Sequence, residues 1–100
     1  MKPPLLSSRS QFAEGLAQAL PKAKASVAKN PDDAFQKSIL AQLEFMALSI
    51  AENRAPSADE LNRLNLSVIA VRTVEDTDPE YAALLSELEY AFRRLKTLPP

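Results

Sequence analysis

One hundred residues, 46% hydrophobic and 25% charged with a formal net charge of -1, are too apolar for a disordered tail. They suffice for one domain, residues 1–100, around a single core, with a radius of gyration of roughly 13 Å. The chain has no His and no Cys. That excludes a neutral-pH proton shuttle, a thiolate nucleophile, Ser–His and Cys–His pairs, and zinc sites with nitrogen or sulfur ligands.

Near-zero charge gives no electrostatic reason to expect nucleic acid or an anionic membrane as partner. The start, Met1-Lys2-Pro3-Pro4-Leu5-Leu6-Ser7-Ser8, lacks the apolar run and small-residue cleavage site of a secretory leader. No apolar stretch approaches the roughly 18 residues of a membrane span. The expectation is a cytoplasmic protein without cofactor or metal that binds rather than catalyses.

Sixteen Ala and 15 Leu stand against only 4 Val and 3 Ile. Ala and Leu lead the helix-propensity ranking, and one Gly is too few for a set of hairpin turns. The fold class is all-α: a compact up-and-down bundle of about four helices, about 8–29, 31–53, 58–72 and 79–96. The first starts near Ser8 or Ser10 and carries Phe12, Leu16, Ala19, Ala23 and Val27 on one face. Pro21 lies inside it, deleting one backbone hydrogen bond and crowding the preceding turn at about 3 kcal/mol, so a kink or break is expected there.

Asn30-Pro31-Asp32-Asp33 signals the second start, with Asn30 as cap and Pro31 at the first position. Between Ile39 and Ala51 the apolar residues point in nearly every direction, the pattern of a central helix or of one sharing a surface. Ser57 and Glu60 form a capping box for the third helix. Leu61, Leu64, Val68 and Val71 make its stripe, and Leu66 and Ile69 widen it. A strand over 68–74 would have no partner strand.

Thr77-Asp78-Pro79-Glu80 opens the last helix, with Thr77 or Asp78 as cap. Tyr81, Leu84, Leu88, Ala91 and Leu95 form its stripe, and Glu89 and Arg93 are a favourable i,i+4 pair. Arg93, Arg94 and Lys96 complement its dipole, and 97–100 reads as a frayed tail. The short connections favour antiparallel neighbours.

The acidic residues are the only material for chemistry. Glu75, Asp76, Asp78 and Glu80 fall within six positions, but Pro79 and the absence of Gly do not suit a divalent-ion loop. The stretch reads as a capped turn, or as an acidic contact patch. Glu44, between Leu43 and Phe45, would be an acid or base if buried; a solvated Glu on the polar stripe explains it better. One Gly cannot build a phosphate-cradling loop. Tyr81 lies on the core stripe, whereas Tyr90 points away and suits an interface anchor.

The stretch Leu61-Asn62-Arg63-Leu64-Asn65-Leu66-Ser67-Val68-Ile69-Ala70-Val71-Arg72, followed by Glu75-Asp76-Thr77-Asp78-Pro79-Glu80, resembles a bacterial immunity family. Those small helical proteins neutralise the NAD(P)+-glycohydrolase toxin of the type VI secretion system. The likeness is carried by the Leu-x-Leu-x-x-Ile-Ala-Val core, the acidic turn and Thr-Asp-Pro-Glu. It implies stoichiometric, non-catalytic inhibition: a monomer that binds its cognate toxin domain one-to-one in the cytosol and covers the dinucleotide cleft. An electropositive cleft would favour acidic contacts.

The matching residues are mostly core and cap positions, with Leu64, Val68 and Val71 holding the fold. The candidate contacts are therefore the solvated Asn62, Arg63, Glu75, Asp76 and Glu80, with Tyr90 apart from them. The competing reading is a self-associating helical adaptor, in which the all-round apolar second helix is buried in a homodimer.

Overall fold

A computed structural model describes residue 6 and residues 8–99. The helices are α1 (Arg9–Lys29), α2 (Ala34–Ala51), α3 (Ala58–Asn62), α4 (Leu66–Thr73) and α5 (Pro79–Arg93), followed by a 3₁₀ turn at Leu95–Thr97. The described residues contain no strand. Helix α1 packs on α2 and α5, and α4 packs on α5 and α2, so four helices close a ring around one core. The up-and-down bundle has a radius of gyration of 12.8 Å.

At its centre Phe92 of α5 stacks on Phe12 of α1, with ring centroids 5.9 Å apart. The same ring meets Phe45 of α2 edge-on at 5.7 Å. These offset and edge-to-face arrangements are the ones the aromatic quadrupole favours. Ile39, Leu43, Met46, Leu66, Leu85 and Leu88 fill the remaining space without exposure.

Helix α1 runs unbroken through Pro21. Pro21 and Ala17, whose carbonyl would have received the missing N–H, are both exposed, on the side of the helix where an orphaned carbonyl is open to solvent rather than buried in the core. The second helix starts later than its sequence signal suggests. Asn30 closes α1, Pro31 and Asp32 form the turn, and Asp33 caps α2 by accepting from the Phe35 and Gln36 N–H groups. Just past the end of α2 and its C-cap Glu52, Asn53 (φ 52°) lies in the left-handed region. The Asn53 and Arg54 N–H groups bond back to the Ile50 and Ser49 carbonyls, a Schellman closure.

The segment 58–72 is not one helix. Its capping box is present, with Ser57 Oγ accepting from Glu60 N–H and Glu60 Oε1 from Ser57 N–H. The helix nevertheless stops after Asn62, and 63–65 lie outside it. Gln42 of α2 intervenes: its Oε1 accepts from Asn65 N–H at 3.0 Å, and its Nε2 donates to Asn65 Oδ1 at 2.7 Å. The interruption changes the helical phase of the residues beyond it. Leu66, Ile69 and Ala70 turn inward, whereas Val68 and Val71, expected on the core stripe, are 52% and 57% exposed.

The expected fourth helix also ends early, at Arg93. Residues 97–99 are packed rather than frayed: Leu98 is buried and the Pro99 carbonyl accepts from Arg9 N–H at 2.8 Å. Pro100 lies outside the described residues.

Candidate functional site

Helix α4 is positioned from outside itself. Asn65 at its start makes no side-chain cap. The N–H of Ser67 instead donates at 2.9 Å to Oε1 of Glu89, a buried carboxylate on α5. Arg93 holds the other carboxylate oxygen through Nε and Nη2, each at 3.0 Å, and its Nη2 reaches the Leu64 carbonyl at 3.5 Å. One buried acid thus joins α5 to the start of α4, and its charge suits a helix N-terminus. The sequence pairs Glu89 with Arg93, but its burial and its link to Ser67 appear only in the fold.

At the other end of α4 the Asp78 N–H bonds to the Val74 carbonyl at 2.8 Å. Asp78 caps α5, its Oδ1 accepting from Tyr81 N–H at 3.1 Å while its Oδ2 pairs with Lys22 of α1 at 2.8 Å. The Lys22 hydrogen bond, then the Tyr81 N–H, hold the Asp78 carboxyl below its ordinary value. Lys22 also lies 5.0 Å from the Tyr81 ring centroid. Burial first, and the Asp78 charge second, push the Tyr81 phenol up to about 12.

The six candidate contact residues are all exposed, and they lie in three places. Glu75, Asp76 and Glu80 occupy the α4–α5 turn and the first turn of α5. None of the three makes an ion pair among the described residues, unlike Asp78 between them. Asn62 and Arg63 sit beyond the opposite end of α4, about 12 Å away for an eight-residue helix. Tyr90 lies further along α5, where Arg94 stacks over its ring at 4.2 Å. Between the first two groups runs the outer face of α4 with Val68 and Val71.

Glu44 is exposed on α2. Among the described residues no group of three or more acidic side chains is placed to hold a metal ion, and no helix is long and apolar enough to cross a membrane. The surface hollows have mixed linings. One of about 330 Å³ is bordered by Arg9, Arg54 and Lys96, and another of about 260 Å³ lies between α2 and α3 beside Phe45, Glu60 and Arg63.

Comparison with known proteins agrees with this architecture. The Tsi6 family model matches residues 12–94. The solved structure of Tsi6 from Pseudomonas aeruginosa superposes with a TM-score of 0.69 at 27% identity, covering 81% of this chain and 93% of that one. No curated protein matches the sequence. The matched region runs from Phe12 to Arg94 and so takes in the whole ring of packed helices, Glu89 and the acidic turn included: this chain belongs to the Tsi6 family of type VI secretion immunity proteins.

Proposed function

We propose that this chain binds the catalytic domain of a cognate type VI secretion toxin, one-to-one and in the cytoplasm, and blocks its active-site cleft. The toxin is an NAD(P)+ glycohydrolase, and the inhibitor performs no chemistry of its own. Membership of the Tsi6 family across residues 12–94 is the observation that carries this reading. Three unpaired carboxylates, Glu75, Asp76 and Glu80, suit a cleft that receives a dinucleotide's phosphates. Asn62 and Arg63 extend the contact past the other end of α4, and Tyr90 is a separate anchor candidate.

Inhibition by occlusion requires nanomolar affinity or better and an interface burying roughly 1,200–2,000 Å². In a coupled assay, one equivalent of the protein is expected to stop NAD(P)+ consumption by the toxin domain. Undiminished consumption at ten equivalents would reject the reading.

Self-association has less to stand on than the apolar run of α2 suggests. Ile39, Leu43 and Met46 are buried in the bundle, and Leu40, Phe45 and Ile50 pack against the core, leaving Phe35 and Leu48 exposed. Light scattering is expected to give the 11.0 kDa monomer alone; a stable dimer would favour the adaptor.

A further inference from the structure

We infer that the outward face of α4, centred on Val68 and Val71, is the apolar core of the toxin-binding surface, and that its occupant is a toxin domain presenting an apolar socket bordered by basic side chains. This rests on the immunity reading above. The two valines are 52% and 57% exposed and stand i,i+3 on one face, lining a shallow depression of about 290 Å³ with Ser67 and Arg72. An exposed β-branched residue weakens a helix by roughly 0.5 kcal/mol relative to Ala, and each of these valines leaves more than half of its surface in water. Two of them on an eight-residue helix make poor sense in water and good sense beneath a partner.

Charge identifies the partner's rim. Beyond the end of α4 the turn carries Glu75 and Asp76, and the first turn of α5 carries Glu80, three exposed carboxylates without ion pairs among the described residues, beside Arg72 at the end of the helix. An apolar centre flanked by uncompensated acids complements a cleft whose edge is basic. The face is held rigidly, because Glu89 and Arg93 fix one end of α4 while Val74 and Asp78 fix the other. Such a surface binds without first ordering itself.

The probe is the catalytically inactivated NAD(P)+-glycohydrolase domain of the type VI effector from the same bacterium, titrated by calorimetry against wild type, V68A/V71A, V68D/V71D and F35D/L48D. All positions are exposed, and Ala raises helix propensity, so V68A/V71A keeps its fold. Expected are about 10-fold weaker binding for V68A/V71A and at least ~100-fold for V68D/V71D, with F35D/L48D unchanged. Wild-type affinity in both α4 variants overturns the inference while the immunity reading stands, as does loss of binding in F35D/L48D alone. A wild-type dimer that V68D/V71D converts to monomer overturns it in favour of a second copy as occupant. Failure of the wild type itself to bind overturns both.

Discussion

Glu89 is the residue on which the placement of α4 turns. Its carboxylate serves Ser67 N–H and Arg93 together in a buried setting, where leaving a donor unpaired costs about 1–3 kcal/mol. Glu89→Ala is expected to lower the unfolding free energy in urea by about 2 kcal/mol. Glu89→Gln, which still accepts from Ser67, is expected to lose about half as much.

Tyr81 makes the opposite case. Its hydroxyl is buried with no hydrogen-bond partner, so Tyr81→Phe is expected to leave stability at pH 7 unchanged or raise it by up to about 1 kcal/mol. The same burial predicts an alkaline effect. The unfolded phenol ionises near 10.0 and the folded one near about 12. The contribution is therefore complete below pH 10 and is lost as the pH rises towards 12. Thermal melts across that range are expected to show a smaller decline in Tyr81→Phe. Asp78 works in acid with the reverse sign: its folded value lies below 3.8, so its contribution is present above that and disappears as the pH falls through the folded value. The Lys22 pair is about half exposed, so solvent screening reduces its share of that stability, and the cap to the Tyr81 N–H adds to it.

At the scale of the helices, Gly15 lets α1 approach α5. A Cβ there would lie 3.1 Å from Leu88 Cδ2 and 3.4 Å from Leu84 Cδ1. Both atoms end flexible side chains, so Ala is accommodated with a helix-propensity gain that offsets the crowding. Gly15→Val adds a Cβ and two methyls to a filled space, and is expected to destabilise by about 1–3 kcal/mol in a chemical melt. A Val as stable as wild type would show that α1 and α5 are less closely packed than these distances state.

The interruption between α3 and α4 also belongs to this scale. Ser57, Glu60 and the apolar spacing all support one helix through Arg72. Their local preference yields to Gln42, 23 positions before Asn65, because a good pair of amide hydrogen bonds and the burial of Leu66 and Ile69 outweigh the few tenths of a kcal/mol per residue of helix propensity.

For the whole molecule, the acidic turn is expected to set the speed of association more than its final strength. Glu75→Lys with Asp76→Lys should slow binding to the toxin domain about 10-fold at low salt, with the difference shrinking as salt screens it. Stopped-flow rates at two ionic strengths check this. Unchanged rates would leave the turn as a helix start and nothing more.

Much of this molecule is local chemistry and can be read along the chain. Ala and Leu content makes it helical, Ser57 with Glu60 and Asp78 with Pro79 mark two helix starts, and helical phase places the core faces of α1 and α5. The exposure of Tyr90 follows from the same phase, and that of Asn62, Arg63, Glu75, Asp76 and Glu80 from their polar side chains. The features that shape the candidate interface depend instead on atoms distant in sequence. Gln42 breaks the helix and Glu89 caps its continuation, each from more than twenty residues away. Their combined effect is the rotation that turns Val68 and Val71 outward. An apolar residue reads the same in sequence whether it faces the core or a partner, since helical phase is meaningful only within one unbroken helix and packing chooses where that helix ends.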